Sequence, residues 1–315
     1  MSVCRVSLIC TLKNEVSSID GFLNSLFSQS KVPDELIIVD GGSTDGTIDV
    51  IESYINNKTA FPIKLLVCEG VNIAQGRNIA IKNADFDLIA STDLGCVLDN
   101  DWLKNLIRPF EEDSDTDVVS GWYEPDARTT FERIAADVIF PKLDTVVKNQ
   151  QNLLPSSRSV AYKKKCWELV GGYPEWLYTA EDTLYDINLK KADCKFVFAP
   201  DAVVYWRVRP NLKSIFKQYY LYARGDGQAG INTRQYVILL AGVSATTVLL
   251  IGSFYHNIFW VGLLMVLCSY CALPFWRRSI NFREAPLSKL VIRSVTDISG
   301  VIGFLMGRMI RDRKN

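Results

Sequence analysis

Two aspartates in this chain close apolar runs, and that setting defines the chemistry open to them. Asp40 ends Glu35-Leu-Ile-Ile-Val-Asp40 and is followed by Gly41 and Gly42. Asp93 ends Ile89-Ala-Ser-Thr-Asp93, with Gly95 two residues on. An apolar, β-branched run that stops at an acid and glycines reads as a buried strand meeting a crowded turn. Glycine there admits backbone conformations closed to other residues and lets a ligand approach. In an open α/β sheet, an acid at a strand's carboxyl end beside a helix amino-terminus makes a nucleotide or phosphate site. Two such acids at neighbouring strand ends can share one ligand. One would hydrogen-bond a base or ribose, and the other would face a divalent cation bridging a diphosphate, because magnesium and manganese take hard oxygen ligands.

Arg77, in Gly76-Arg-Asn78 at the start of a helical pattern, is a candidate partner for phosphate. Glu181-Asp182 offers a carboxylate able to take a proton from an attacking hydroxyl. Each has a plainer reading: strand-end aspartates cap the next helix, an arginine at a helix start sits in solvent, and paired acids favour a helix amino-terminus. Spacing alone does not separate these. His256 is the single histidine and falls between two apolar runs, which excludes an acid–base or metal-bound histidine, and any histidine-activated nucleophile, from the rest of the chain.

The elements that must position these residues follow from periodicity. Strand patterns at residues 6–10, 36–39, 63–68 and 88–90 alternate with helical patterns at 19–27, 48–55 and 73–81. This alternation predicts a mostly parallel open sheet with right-handed crossovers and helices on both faces. Ligand groups should gather at the strand ends near Thr11, Asp40, Glu69 and Asp93. Ser43 or Thr44 is expected to cap the helix after Asp40, and Thr179 the helix over 179–189. Further on, 102–110 reads as an amphipathic helix, 118–122 as a strand, and 131–147 as a helix interrupted by Pro141. A polar loop at 154–162 leads into a short strand, 164–170 is a helix stopped by Gly171-Gly172, and strands at 195–198 and 202–205 close the sheet.

Hydrophobic residues make up 48% of the 315, but the last eighty residues are far more apolar than the rest. Two uncharged stretches, 236–254 and 258–276, are close to the roughly twenty residues needed to cross a bilayer core. Tyr255-His-Asn257 between them predicts a transmembrane hairpin. Arg224 and Arg234 precede it and Arg277, Arg278 and Arg283 follow, while its turn has no lysine or arginine, so both ends should face the cytosol. The tail over 287–310 places Leu290, Val291, Ile298, Val301 and Leu305 on one face and reads as an interfacial helix, since crossing would carry Arg311-Asp-Arg-Lys314 outward. No signal peptide is expected, because the chain runs straight into its first strand. The eight cysteines lack zinc spacing, and Cys268 and Cys271 fit one helical face of small residues, which suits a reduced, cytoplasmic catalytic part. Lysine plus arginine equals aspartate plus glutamate at 35 each, giving no charge that favours nucleic acid.

Six segments then occur in a telling order: Thr11-Leu-Lys-Asn-Glu15, Ile38-Val-Asp-Gly-Gly-Ser-Thr-Asp-Gly-Thr47, Gly76-Arg-Asn78, Ser91-Thr-Asp-Leu-Gly95, Gly171-Gly-Tyr-Pro-Glu175 and Ala180-Glu-Asp182. Over roughly residues 4–225 the chain resembles family 2 glycosyltransferases, which share an A-type nucleotide-diphospho-sugar transferase fold. The resemblance implies that Asp40 contacts the base, with Thr11 and Glu15 in the same pocket, and that Arg77 lies by the nucleotide or diphosphate. It implies that Asp93 matches the first acid of the Asp-x-Asp metal motif and Asp182 the general base. Gly171, Gly172 and Glu181 would fall on the acceptor side, and Arg224 near the leaving diphosphate. Two positions depart from the pattern. Gly95 stands where the second metal-motif acid belongs, and Tyr205-Trp206-Arg207 where many relatives carry a histidine. Asp93 would then be the single carboxylate for Mg2+ or Mn2+, with Arg207 or Arg209 supplying part of the missing charge.

Taken together, residues 1–230 are expected to form a catalytic domain, 231–278 a transmembrane hairpin and 279–315 an interfacial helix. The implied activity is that of a multi-pass membrane glycosyltransferase facing the cytoplasm. It would use a nucleotide-diphospho-sugar and act on a lipid-linked or polysaccharide acceptor with inversion. The alternatives are a sugar nucleotidyltransferase, which would want a glycine- and lysine-rich phosphate loop near the amino-terminus, and a non-catalytic nucleotide-binding scaffold in the membrane.

Overall fold

The computed structural model describes residues 4–57, 60–276 and 284–313. Arg277, Arg278, Arg283 and Lys314, used above to orient the hairpin and tail, lie outside them. The first half runs β1 (Val6–Leu12), α1 (Ile19–Phe27), β2 (Glu35–Asp40), α2 (Thr47–Asn56), β3 (Ile63–Val67), α3 (Ile73–Lys82), β4 (Leu88–Ser91), β5 (Cys96–Leu98), α4 (Trp102–Glu112) and β6 (Val118–Asp126). Next come α5 (Thr130–Ile139), α6 (Leu143–Lys148), β7 (Val160–Lys163), α7 (Lys164–Leu169), α8 (Glu181–Lys191), β8 (Phe196–Arg207), α9 (Leu212–Ala229), α10 (Thr233–Ser253), α11 (Ile258–Trp276) and α12 (Pro286–Asp312). The chain divides into two compact units, Met1–Asp126 with Val146–Arg207, and Ala127–Thr145 with Val208–Asn315.

The first unit is built on one eight-stranded sheet in the order β3-β2-β1-β4-β7-β6-β8-β5. Strand periodicity sends Leu8, Leu36 and Ile38 to one face, where Phe22, Leu26, Ile51 and Trp102 cover them. It sends Ile9, Ile37 and Val39 to the other, beneath Ala74, Ile81, Tyr185 and Leu189. Every residue of β2 is therefore buried, as its apolar run requires. The predicted helices on both faces are present. β3, β2, β1 and β4 are parallel, whereas β7 is antiparallel to both β4 and β6, and β5 is antiparallel to β8. The parallel character thus belongs to the first four strands, and the sheet beyond them is mixed.

Three local expectations change. The strands expected at 195–198 and 202–205 are one twelve-residue strand, β8, paired with β6 across a register shift between Ser120 and Trp122. Gly121 sits at that shift because a Cβ there would lie 1.9 Å from Ser159 Oγ and 2.6 Å from the Ala202 carbonyl. Ser43, Thr44 and Thr179 are not the N-caps: Gly46 precedes α2 and Ala180 precedes α8, both left-handed and neither capping through a side chain. The short β5 and the eighteen-residue α9 give no clear sequence pattern, the first for its length and the second because its lysines, tyrosines and glutamines blur the apolar stripe. The break at Pro141 does separate α5 from α6.

In the second unit α12 lies against α9 at backbone distance: a Cβ on Gly303 or Gly307 would come within 2.2 Å of the Tyr220 carbonyl or 2.1 Å of the Arg224 carbonyl. Small residues make that approach possible. The packed face of α12 therefore carries Ser299, Gly300, Gly303 and Gly307, while Val291, Ile298, Ile302, Leu305 and Met309 face outward. Tyr255–Asn257 forms the expected tight turn, with the Tyr255 and His256 amides bonded to the Gly252 carbonyl. Among the described residues α10 and α12 are long and apolar enough to cross a membrane.

Candidate active site

The carboxyl ends of β1, β2 and β4 bring the predicted residues to one end of the sheet, since Leu12 pairs with Asp40 and Ile9 with Ser91. Two loops there are laced together. The Asn14 amide donates to Ser43 Oγ and the Thr44 amide to Asn14 Oδ1, both at 2.8 Å, while Glu15 and Val16 amides reach Thr47 Oγ1 and Asp45. Asn14 holds a left-handed φ of 59° to make this lacing. Asp40 is fully buried, and its carboxylate accepts from the Gly42 and Ser43 amides at 2.7 Å and from Ser43 Oγ at 2.5 Å. Both oxygens thus brace the turn. Glu15 accepts from Ser18 Oγ, and Thr11 packs its methyl where a Cβ on Gly76 would be 2.9 Å away. Thr11 Oγ1 and Thr92 Oγ1, both buried at this end, have no hydrogen-bond partner among the described residues.

Arg77 ties the second group of acids together. It is 3% exposed, donating to Glu181 Oε1 at 2.6 Å and Asp93 Oδ1 at 3.0 Å, with Tyr173 5.4 Å from its guanidinium carbon. Burial works against its charge, yet Asp93 and Glu181 raise its pKa above the ordinary arginine value. Glu181 responds in the other direction. Burial, then the charge of Asp182, pushes its carboxyl up to about 7 against the pull of Arg77. Asp182 is half-buried, with Oδ1 accepting the Thr183 amide at 2.7 Å. Ala180, immediately before the pair, has φ 63°, a strained conformation that turns Glu181 inward onto Arg77.

Asn78, quoted in the sequence only as part of a motif, turns out to organise the glycine loop. Its Oδ1 accepts from the Trp167 indole and the Tyr173 amide, and its Nδ2 donates to the Tyr173 carbonyl and Glu175. Gly172, at φ 82°, passes so close that a Cβ would be 2.8 Å from Asn78 Oδ1. Gly172 thus serves this packing, whereas a Cβ on Gly171, at φ 76°, would meet nothing within 4 Å. Arg224 belongs to α9, in the second unit. Arg207 donates to the Asp126 carbonyl and Arg209 to Gln218.

Sequence reasoning missed Arg158. Its Nε is 3.8 Å from Asp93 Oδ2, and its guanidinium carbon lies 3.7 Å from the centre of the Trp206 ring. The signal was present as one arginine among four residues that are otherwise serine, Ser156-Ser-Arg-Ser159, at the mouth of a strand. A different cluster, Asp117, Cys166 and Cys194, brings its ligand atoms within 4.8 Å of one another, but at the opposite end of the sheet. Lys165 and Lys163 already neutralise that aspartate, and burial raises both thiols, Cys166 to about 12.

The family model for Glycosyl transferase family 2 matches residues 7–169, more than half of the chain. The chain belongs to glycosyl transferase family 2. Among curated relatives, the O-antigen chain rhamnosyltransferase RfbN of Salmonella typhimurium is 26% identical over 226 residues, 69% of this chain and 70% of that protein. The poly-beta-1,6-N-acetyl-D-glucosamine synthase of Staphylococcus epidermidis is 22% identical over 225 residues, and there the match spans 54% of the relative's length. Among solved structures, the mannosyltransferase PcManGT from Pyrobaculum calidifontis, in complex with GDP-Man and Mn2+, superposes with a TM-score of 0.57 at 16% identity, covering 98% of this chain and 87% of that one. S. aureus TarS gives 0.51 at 18%, covering 97% and 55%. At these identities the structural likeness establishes the fold, and the family and its named members make this chain a glycosyltransferase.

Of the two positions where the resemblance expects metal-motif acids, only the first carries one. Asp93 is 30% exposed and offers hard oxygens. A Cβ on Gly95 would meet nothing within 4 Å, so no steric reason keeps the second acid out. One carboxylate completed by phosphate oxygens and water lies within the chemistry of Mg2+ and Mn2+.

Proposed function

We propose that this chain is a membrane-anchored, inverting glycosyltransferase that moves a sugar from a nucleotide-diphospho-sugar to a lipid-linked or polysaccharide acceptor. The observation that carries the reading is the buried bridge from Asp93 through Arg77 to Glu181. It fixes Asp182, the next residue, beside the strand end where the donor would lie. Asp182 takes the proton from the attacking acceptor hydroxyl, the new glycosidic bond forms at the anomeric carbon, and the bond to the diphosphate breaks on the opposite side. A single displacement of this kind inverts the centre. The chain's own part is to orient the acceptor against the donor and to accept that proton. Asp93 would hold a divalent cation, which when bound supplies positive charge to the departing diphosphate.

Anchoring is proposed through α10 and α11, with both ends of the hairpin cytoplasmic because Arg224 and Arg234 precede it and its turn has none. α12 also has the length and apolarity to cross, but because it carries Lys289, Arg293, Asp297 and Arg308 it would instead lie in the interface. An anchored enzyme favours acceptors that are themselves lipid-linked or extruded. The test is Asp182→Asn in detergent-solubilised protein, assayed against a panel of nucleotide sugars. Transfer and nucleoside diphosphate release should fall by about 10²–10⁴-fold while donor binding is retained. Unchanged turnover would remove Asp182 from the mechanism.

A further inference from the structure

We infer that Arg158, and not Arg77, receives the donor's diphosphate, and that its charge lets the diphosphate bind without a divalent cation. The inference rests on the donor-site reading above. Register places it: β7 starts at Val160, opposite Ser91 at the end of β4, so Arg158 stands two residues before the pairing and Asp93 two residues after it. The two meet at the mouth of the site, Nε to Oδ2 at 3.8 Å.

The sequence around Arg158 fixes it there. Ser157 and Ser159 are 3% and 1% exposed. Ser159 Oγ accepts the Trp102 indole N–H and donates to the Ala202 carbonyl, each at 2.9 Å, and the Gly121 amide donates to the Ser159 carbonyl at 2.8 Å. Between these anchors the Arg158 side chain runs out over aromatic rings, Trp206 at 3.7 Å and Tyr123 at 5.6 Å, while Nη1 donates to Ser156 Oγ at 2.7 Å. Nε is buried, so a phosphate would meet the guanidinium at its Nη end, where a planar fork suits paired oxygens.

Charge separates the two arginines. Both face Asp93, but Arg77 also holds Glu181 and is 3% exposed, whereas Arg158 meets the Asp93 carboxylate at 3.8 Å and is 16% exposed. A diphosphate arriving beside Asp93 and Asp182 adds more negative charge. With Gly95 in place of an acid, this chain has fewer ligands for a cation and, in Arg158, a fixed cation of its own at the same opening.

The experiment measures binding of UDP, GDP and dTDP, and of the matching nucleosides, to the full detergent-solubilised chain by calorimetry, in EDTA and in Mn2+. Wild type should bind at least one diphosphate in EDTA. Arg158→Ala should weaken that diphosphate about 10–100-fold in EDTA, leave the nucleoside unchanged, and be rescued by Mn2+ more than wild type is helped. Arg158→Lys should recover part of the loss. Equal affinities for wild type and Arg158→Ala in EDTA would overturn the assignment, as would equal weakening of nucleoside and diphosphate, which is what a merely structural arginine gives. Wild-type binding that appears only with Mn2+ would assign the charge to the cation instead. Wild type that binds no diphosphate in either buffer would bring down the donor site itself.

Discussion

The two ends of the sheet hold acids in opposite ways. At the amino-terminal end, Glu35 and Asp85 pair with Lys64, Asp117 with Lys163 and Lys165, and Asp113 with Lys195. Those lysines are more exposed than Arg77, from 26% at Lys163 to 66% at Lys165, although Glu35 beside Lys64 is itself buried. At the carboxyl-terminal end, Asp93 and Glu181 meet arginines, one 3% exposed and the other stacked on Trp206. Exposed pairs contribute little because water and salt screen them. Buried pairs carry a desolvation cost that stability alone would not favour, yet removing one partner strands the other in a low-dielectric site. At the lysine end the cation of each of these pairs is partly exposed, and at the arginine end Arg77 is a buried one.

Breaking the buried end should have the largest effect. Arg77→Ala leaves Glu181 and Asp93 without their partner and should destabilise the protein by about 3–5 kcal/mol in chemical denaturation. Arg77→Lys should not restore it, since one ammonium does not span two carboxylates as a guanidinium does. An unmoved midpoint would mean that the bridge carries no structural weight.

The two ends also differ in sign with pH. Glu181 rises from an ordinary 4.5 to about 7, so its contribution is complete below about 4.5 and lost as pH climbs through about 7. Asp117 runs the other way. Against partial burial, the Lys195 amide and Lys165 hold it below its ordinary 3.8, so its contribution is present above 3.8 and lost as pH falls. Glu181→Gln should therefore flatten the decline in Tm between pH 4.5 and 7 by roughly 2–4 °C and leave the acid limb alone. A decline as steep as in wild type would place the titrating group elsewhere. The smallest effect belongs to Lys165→Ala, where thermal melting should show no resolvable change at neutral pH. A clear loss there would erase the contrast between the ends.

Much of this was legible in advance because it depends on local pattern. The buried run before Asp40, the alternation of strand and helix, the break at Pro141 and the uncharged stretches after residue 235 all report which residues must leave water. Asp40 and Asp93 were found at the strand ends because parallel strands bring their carboxyl ends together, and Arg77 on the helix that the sequence pattern predicts. Their roles were less legible. Asp40 braces its own turn through Gly42 and Ser43, a local arrangement, whereas Arg77 bridges two acids that sequence distance hides: Glu181 is 104 positions from Arg77.

What the amino-acid order determined by itself was therefore the choice of elements, the burial of the first strands and the set of residue types available at the site. What the tertiary structure alone decided was their pairing. The register of β7 on β4 set Arg158 beside Asp93, the shift at Gly121 let Ser159 anchor it, and the stack on Trp206 fixed its plane. Burial is written in local periodicity, because each side chain's face follows from its neighbours. Charge pairing between remote segments has no such period, and it exists only once the strands are in register.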